Sequence, residues 1–219
     1  MTNKVAVILG SSSIYGQLLG ESLPALAVTT CWGEVQVHSY EGGYVLFRHQ
    51  HPHLLPHQIP YRAQIQALAD LGCSTLLVTS SAGILDPTVP LFSPLLVSDL
   101  VMLDNRLGDG TPCTMFLGPQ SDQGHLVLRE GLFSQAVSQV VERLLASGSL
   151  PQVVFSYVPG PRTKTAAENR LLAAWGIQAI IAGRCALRQC GGREGIPSPA
   201  KRGRVREGAS PLQQSPYLN

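Results

Sequence analysis

Small hydroxyl residues, glycines, arginine and histidine are concentrated in four short segments that follow apolar runs of the chain. Serine hydroxyls and closely spaced backbone N–H groups bind oxyanions, and a guanidinium matches a phosphate with two parallel hydrogen bonds. Each segment, taken alone, is equally compatible with a ligand-free turn or a capped helix start. The four segments are Gly10-Ser11-Ser12-Ser13, Arg48-His49-Gln50-His51-Pro52-His53, Thr79-Ser80-Ser81-Ala82-Gly83 and Gly160-Pro161-Arg162-Thr163-Lys164-Thr165-Ala166-Ala167-Glu168.

The second segment and the residues after it are rich in histidine, which raises the alternative of a metal site, because imidazole is a common zinc ligand. However, Pro52 and Pro56 prevent the helix that would place two histidines on one face. Neither a cysteine nor an acidic residue accompanies them. We therefore predict no metal site. The four histidines, which fall within nine residues, are His49, His51, His53 and His57.

Predicted strands and helices alternate along the first 182 residues and must position the four segments. Such alternation is typical of an open parallel or mixed sheet with helices on its faces. In these folds, ligands lie at the carboxyl ends of the strands. Apolar runs predict strands at 4–9, 74–79, 95–103, 153–158 and 178–182 and a hairpin at 34–47. Periodicity predicts helices at 61–71, 130–146 and 165–175, the last with a capping box formed by Thr165 and Glu168.

Composition divides the chain near residue 183. Hydrophobic residues make up 44% of the chain and charged residues 14%, which is sufficient for one sizeable α/β domain and argues against general disorder. Residues 184–219 lack apolar periodicity and carry 7 basic against 2 acidic residues. We expect a domain over 1–183 and a basic, Gly/Pro-rich, disordered tail over 184–219. The composition of this tail is typical of a linker or of frame-shifted sequence. Nucleic-acid binding by this tail is a weaker alternative, because no aromatic residues interleave with its charges.

The cysteines and the N-terminus bear on the cellular location. Five scattered cysteines do not form the pattern of a secreted disulfide framework. The apolar run Lys4–Leu9 is too short for the core of a signal peptide. No run approaches the roughly 18–20 apolar residues that span a bilayer. These patterns predict a cytoplasmic protein with free thiols and no membrane association.

The order and spacing of the segments resemble the purine nucleoside phosphorylase / 5′-methylthioadenosine phosphorylase family. RHQHPHLLPHQIPYRAQ at 48–64 is similar to that family's Arg-His-Gly…Pro-His…Asn-Tyr-Arg-Ala-Asn segment. TSSAGIL at 79–85 resembles its small-residue loop, and GPRTKTAAE at 160–168 resembles Gly-Pro-x-Phe-Glu-Thr-x-Ala-Glu. The resemblance covers residues 4 to about 183. It implies a three-layer α/β/α fold with a central mixed sheet, in which the C-terminal part of the fold is missing or replaced.

The resemblance implies phosphorolysis of the N-glycosidic bond of a purine nucleoside or 5′-methylthionucleoside. The products would be the free base and a ribose, deoxyribose or methylthioribose 1-phosphate, with inorganic phosphate as co-substrate and no cofactor. The implied assembly is a homotrimer. By similarity, the phosphate would contact Ser11 (or Ser12 if the turn aligns one residue later), Arg48, His49 and Ser80. The nucleoside would contact Ser81, Ala82, Gly83, His53, Tyr61, Thr163, Lys164 and Ala182.

Several residues depart from the family's pattern. Gln50 replaces a glycine, Pro60 replaces an asparagine, and Thr163-Lys164 stands where the family has Phe-Glu. A protonated lysine cannot accept the hydrogen bond that a carboxylate accepts. The family's Asn or Asp that protonates the purine has no counterpart, so no catalytic acid is assigned, and losing a general acid typically slows a reaction by ~10²–10⁴-fold. Losing the strand that bears it would also expose apolar sheet surface and an unpaired strand edge. The alternative function is a homologue that binds an anion or ligand, or oligomerises, without turnover.

Overall fold

A computed structural model describes residues 4–10, 22–115, 131–145, 149–159 and 162–181. The predictions for Ser11, Ser12, Ala182 and the tail 184–219 lie outside these residues. The strands within them are β1 Lys4–Leu9, β2 Ala25–Thr30, β3 Gly33–Tyr40, β4 Gly43–Phe47, β5 Cys73–Val78, β6 Ala82–Ile84, β7 Leu96–Val101, β8 Gln152–Ser156 and β9 Ala179–Ile181. The helices are α1 Tyr61–Asp70, α2 Gln135–Leu145 and α3 Ala166–Ala174.

A five-stranded mixed sheet brings together the strands that precede three of the four polar segments. Its order is β2-β3-β4-β1-β5. Strand β1 is parallel to both β4 and β5, with Leu9 opposite Phe47 and Ile8 opposite Val78. Because the carboxyl ends of parallel strands meet at one edge of a sheet, the chain leaves β1, β4 and β5 at the same edge.

Helix α1 packs on this sheet through one narrow face. Its buried residues are Ala63, Gln64, Ala67 and Leu68, which is the helical spacing of an apolar stripe. The small alanines allow close approach to a core that includes Leu46, whose side chain is fully buried. The helix ends where the sequence predicts, because Gly72 adopts φ +80° and so permits the left-handed turn that other residues disfavour.

A four-stranded mixed sheet forms the second half of the fold. Its order is β6-β9-β8-β7, with β7, β8 and β9 parallel and β6 antiparallel to β9. The chain passes into it from β5 through residues 79–81, so the third polar segment joins the two sheets. Two clusters of buried apolar residues lie in this half, one formed by Ile84, Val153 and Ala179 and the other by Leu172, Ile177 and Ile180.

The predicted α/β class with mixed sheets is confirmed, and the described strands are divided between two sheets. The hairpin is confirmed, as is the capping box that opens α3. The predicted start of the helix at 130–146 was wrong: of its predicted residues, 131–134 are not helical. Gly131 has φ +84°, and the Ser134 hydroxyl accepts the Val137 N–H at 3.4 Å, so α2 begins after a serine cap.

One edge of the five-stranded sheet is formed by β5, which alternates exposed and partly buried residues. Two of its apolar side chains, Leu76 and Val78, are 45% and 54% exposed. Within the described residues no strand pairs with its outer side. Among the described residues, β5 is therefore an edge strand with exposed apolar side chains.

We expect Glu168→Gln to lose stability above pH 5 but not near pH 2. The Glu168 carboxylate accepts hydrogen bonds from Arg162 at 2.6 and 2.9 Å and from the Thr165 N–H at 2.6 Å. The bonds from Arg162, and then that from Thr165, lower the pKa of Glu168 from 4.5 to about 2. Because the folded state holds the lower pKa, this stabilisation is present above pH 4.5 and disappears as the pH falls through 2.

The measurement is the melting temperature of both proteins between pH 2 and 7. Glu41→Gln, which removes one negative charge from the hairpin turn, is the control. The expected result is a wild-type advantage over Glu168→Gln that shrinks between pH 4.5 and 2. A difference that stays constant with pH, or that Glu41→Gln reproduces, would contradict the assignment.

Candidate functional site

Arg48 reaches from the end of one strand to the end of another. It follows β4 directly, and its N–H donates to the Leu9 carbonyl of β1 at 3.0 Å. Its guanidinium Nη2 donates to the Ser80 hydroxyl, which follows β5, at 3.5 Å. Ser80 is exposed. The guanidinium and the hydroxyl are therefore neighbouring donors at the edge where the parallel strands end, which is the arrangement that an oxyanion needs.

Gly10 lies between these two side chains. Its N–H donates to the Thr79 hydroxyl at 3.4 Å. A Cβ atom at this position would lie 2.8 Å from the Thr79 carbonyl oxygen, 3.1 Å from the Ser80 Cα and 3.3 Å from the Arg48 Nη2. Only a glycine allows the segments that follow β1, β4 and β5 to approach one another this closely.

We expect Gly10→Ala to weaken anion binding by about ten-fold and to destabilise the fold by about 1–3 kcal/mol, which is typical of inserting a methyl group into a packed site. The methyl group would push Arg48 and the Ser80 backbone apart. Titration with inorganic phosphate by calorimetry, with the melting temperature to establish folding, provides the measurement. A folded variant with wild-type affinity would show that Gly10 does not shape the site.

His49 is held by the turn that follows Arg48. It is buried, and its Nδ1 lies 2.8 Å from the Leu54 carbonyl oxygen. Because a carbonyl only accepts, Nδ1 must carry a proton. Burial lowers the pKa of His49; the hydrogen bond to Leu54 opposes this shift, whereas Arg48 and His53 reinforce it. The neutral ring therefore presents Nε2 as an acceptor and needs protonation before Nε2 can donate to an anion.

His53 stacks on His49. The two rings are almost parallel, with their centroids 4.4 Å apart and an interplanar angle of 6°. The predicted site residues Arg48, His49 and His53 thus form one continuous group. Within the described residues, the structure has no group of three His, Cys, Asp or Glu side chains that could hold a metal ion.

Gln50 occupies the position where the resembling family has glycine. Its φ of +54° lies in the left-handed region that favours glycine. The side chain compensates in part, because its amide accepts the Gln36 N–H at 3.1 Å and donates to the Phe47 carbonyl at 3.1 Å. The substitution is therefore compatible with the turn that carries Arg48 and His49.

Tyr157, which the sequence analysis did not single out, brings the second sheet to Arg48. It follows β8, and its N–H donates to the Val101 carbonyl at 3.0 Å. Its side chain lies close enough to that of Tyr61, at the start of α1, for each phenol to influence the pKa of the other. Burial raises the pKa of both phenols, while the positive charge of Arg48 acts on both in the opposite direction. The sequence feature that could have identified Tyr157 is its position at the end of a predicted strand.

The remaining predicted residues lie at two places. Ser81 is exposed beside Ser80, but Ala82 and Gly83 lie in strand β6 rather than in a loop, and Gly83 is buried there. Thr163 and Lys164 precede α3, next to the Arg162–Glu168 ion pair. Burial lowers the pKa of Lys164; Glu168 opposes this shift and Arg162 reinforces it.

A family model described as the Phosphorylase superfamily matches residues 4–182. The chain belongs to this superfamily. The resemblance stated from the four segments is thereby confirmed, and the match spans every described element. Among the described residues of this superfamily member, no helix is long and apolar enough to cross a membrane.

Curated relatives of this phosphorylase-superfamily chain have related names but differ in the nucleoside named. A probable S-methyl-5′-thioinosine phosphorylase of Pseudomonas syringae is 31% identical over 141 residues, which are 62% of this chain and 56% of that protein. A probable 6-oxopurine nucleoside phosphorylase of Thermococcus kodakarensis is 28% identical over 193 residues, 81% of this chain and 70% of that protein. The chain thus spans little more than half of the first relative.

Solved structures support the fold. Methylthioadenosine phosphorylase from Schistosoma mansoni in complex with tubercidin superposes with a TM-score of 0.67 at 22% identity, covering 84% of this chain and 74% of that one. The complex of the same protein with adenine gives a TM-score of 0.66. At this identity the likeness concerns the architecture, not the ligand.

Proposed function

We propose that this chain binds inorganic phosphate beside Arg48, Ser80 and Gly10, and uses it to cleave a purine nucleoside or 5′-methylthionucleoside. The observation that carries the proposal is the 3.5 Å contact between the Arg48 guanidinium and the Ser80 hydroxyl. These groups come from different strands and meet at the carboxyl edge of the sheet. A guanidinium beside a hydroxyl provides charge and directed donors for a dianion.

The proposed reaction joins a phosphate oxygen to the sugar C1′ while the bond from C1′ to the purine nitrogen breaks. The bonding electrons leave with the base, which takes up a proton, and the sugar becomes a 1-phosphate. Positive charge develops on the sugar, so a phosphate dianion held against it stabilises the transition state. Arg48 would orient that dianion. The proton donor to the base is not assigned.

The sugar and base would occupy the space between the phosphate site and the second sheet. Tyr61 and Tyr157 support this placement, because the charge of Arg48 acts on the pKa of both phenols where the end of β8 approaches Arg48. His53 and Ser81 would lie on the sugar side, and Thr163 and Lys164 toward the base. The proposed assembly is a homotrimer, for which a particle of three times the protomer mass is expected in sedimentation.

The second candidate is a protein that binds phosphate or nucleoside without turnover. Lys164 supports it. This lysine, which is half-buried, stands where the resembling family has a carboxylate that in some members accepts a hydrogen bond from the base. An ammonium group donates only, so the base would be held differently or not at all.

Two measurements on the same protein distinguish the two candidates. Inosine, adenosine and 5′-methylthioadenosine are incubated with the protein with and without phosphate, and the release of free base is followed by chromatography, while calorimetry measures phosphate binding. Phosphate-dependent base release supports the enzyme, and phosphate binding without release supports the second candidate. The absence of phosphate binding would overturn the enzyme, and the absence of binding to phosphate and to all three nucleosides would overturn both candidates.

A further inference from the structure

Gln64 is the one polar residue on the buried face of α1. Its side chain is 2% exposed, and its buried neighbours on the helix are Ala63, Ala67 and Leu68. Burying an amide costs stability unless its hydrogen bonds are made. An apolar side chain of similar size would fill the same space without that cost. A polar residue here therefore needs a local explanation.

The explanation lies in its contact with Arg48. The Gln64 Nε2 donates to the Arg48 carbonyl oxygen at 2.7 Å. The Arg48 N–H is fixed from the other side by the Leu9 carbonyl at 3.0 Å. Both backbone polar groups of Arg48 are thus held, one by strand β1 and the other by helix α1. The origin of the arginine side chain is fixed relative to Ser80.

We propose that Gln64 is a positioning residue for the phosphate-binding arginine. The inference rests on the proposed function, since it takes Arg48 as a phosphate ligand. Gln64 does not touch the phosphate. It anchors the peptide from which the guanidinium extends, and a binding group must be held within about 0.5 Å of its productive place to be effective. Without the amide, the end of β4 has one fewer anchor and Arg48 can move away from Ser80.

The test compares Gln64→Met with Gln66→Met. Gln66 lies on the same helix, and its amide donates to Asp70 at 2.8 Å in an exposed pair. Methionine keeps the length and apolar packing of glutamine but cannot donate. Calorimetry with inorganic phosphate is expected to show about ten-fold weaker binding for Gln64→Met. This is the effect expected when one hydrogen bond that orients the phosphate-binding arginine is lost. Gln66→Met is expected to stay within two-fold of wild type.

A merely structural role would lower the melting temperature without changing phosphate affinity in the folded protein. Binding of 5′-methylthioadenosine in the absence of phosphate further separates a positioning role from a structural one. If Gln64 positions Arg48, the affinity of Gln64→Met for this nucleoside should stay within two-fold of the wild-type affinity. If Gln64→Met does not fold, Gln64→Asn replaces it; this variant keeps an amide that is one methylene too short for the contact, and it should also bind phosphate more weakly.

The outcomes distinguish this inference from the proposed function. If wild-type protein binds no phosphate, the proposed function fails and the positioning role fails with it. If wild type binds phosphate and a folded Gln64 variant binds it equally well, only the positioning role is overturned. If phosphate binds without base release, catalysis fails, yet the expected ten-fold difference would still support the role of Gln64.

Discussion

Replacing Arg48 with methionine is expected to weaken the binding of inorganic phosphate by about 100-fold or more. Hydrogen bonds to charged groups contribute about 1.5–3 kcal/mol each, and a guanidinium can make two to a phosphate. A loss of about 3 kcal/mol corresponds to roughly 100-fold in the dissociation constant. Calorimetric titration with phosphate measures the loss directly. If the protein turns over, the KM for phosphate should rise by a similar factor.

Two further variants serve as controls for the Arg48→Met result. Arg48→Lys keeps the charge but not the planar pair of donors, so we expect an intermediate loss of about ten-fold. Arg170→Met removes an exposed arginine from α3 and should leave binding unchanged, which controls for net charge. Phosphate binding by a folded Arg48→Met protein at wild-type affinity would remove the basis of the proposed function.

Three parts of the fold that local sequence determines were predicted correctly. The hairpin follows from alternating residues around Gly42, which adopts φ +93° in the turn. Helix α1 follows from its apolar stripe and from the glycine after it. The cap of α3 follows from Thr165 and Glu168, three residues apart. In each case the determining contacts lie within a few residues along the chain.

The meeting of Arg48 and Ser80 depended on a different kind of information. They are 32 residues apart in the sequence, and each follows a predicted strand. Strand alternation places both at the carboxyl edge, but it does not make β1 the neighbour of both β4 and β5. The resemblance to a known family implied that Arg48 and Ser80 contact one phosphate, and in the structure β1 pairs with both β4 and β5.

Contacts between distant elements without such a pattern were not predictable. Gln64 reads as one more position of an amphipathic helix, and only the packed structure places its amide on the Arg48 carbonyl. Tyr157 meets Tyr61 through the approach of two sheets. Strand β2 was not predicted because most of its residues are exposed, so its apolar residues give no one-sided pattern; pairing with β3 determines it instead.

Gly43→Ala is expected to destabilise the fold by about 3 kcal/mol or more, at or above the upper end of the usual range for overpacking. The reason is not the backbone angle of Gly43. A Cβ atom there would lie 1.8 Å from the Val5 carbonyl oxygen and 3.0 Å from the Tyr40 hydroxyl. Val5 faces Gly43 in the parallel pairing of β1 and β4, and its carbonyl accepts the Tyr40 hydroxyl at 3.3 Å. Relief of the clash requires separating these strands, because a strand carbonyl cannot rotate away as a side chain can.

The adjacent Gly42 provides the matched control. It has φ +93° but no atom within 4 Å of an added Cβ, so Gly42→Ala tests backbone strain alone, for which about 1 kcal/mol is expected. Urea unfolding of both variants measures the difference. If Gly43→Ala unfolds at the same urea concentration as Gly42→Ala, the close approach of β1 and β4 is not a constraint. A larger loss of stability for Gly43→Ala would show that the pairing of β1 and β4, which supports Arg48, requires a glycine at this position. The contact that imposes this requirement is with Val5, nearly 40 residues away in the chain.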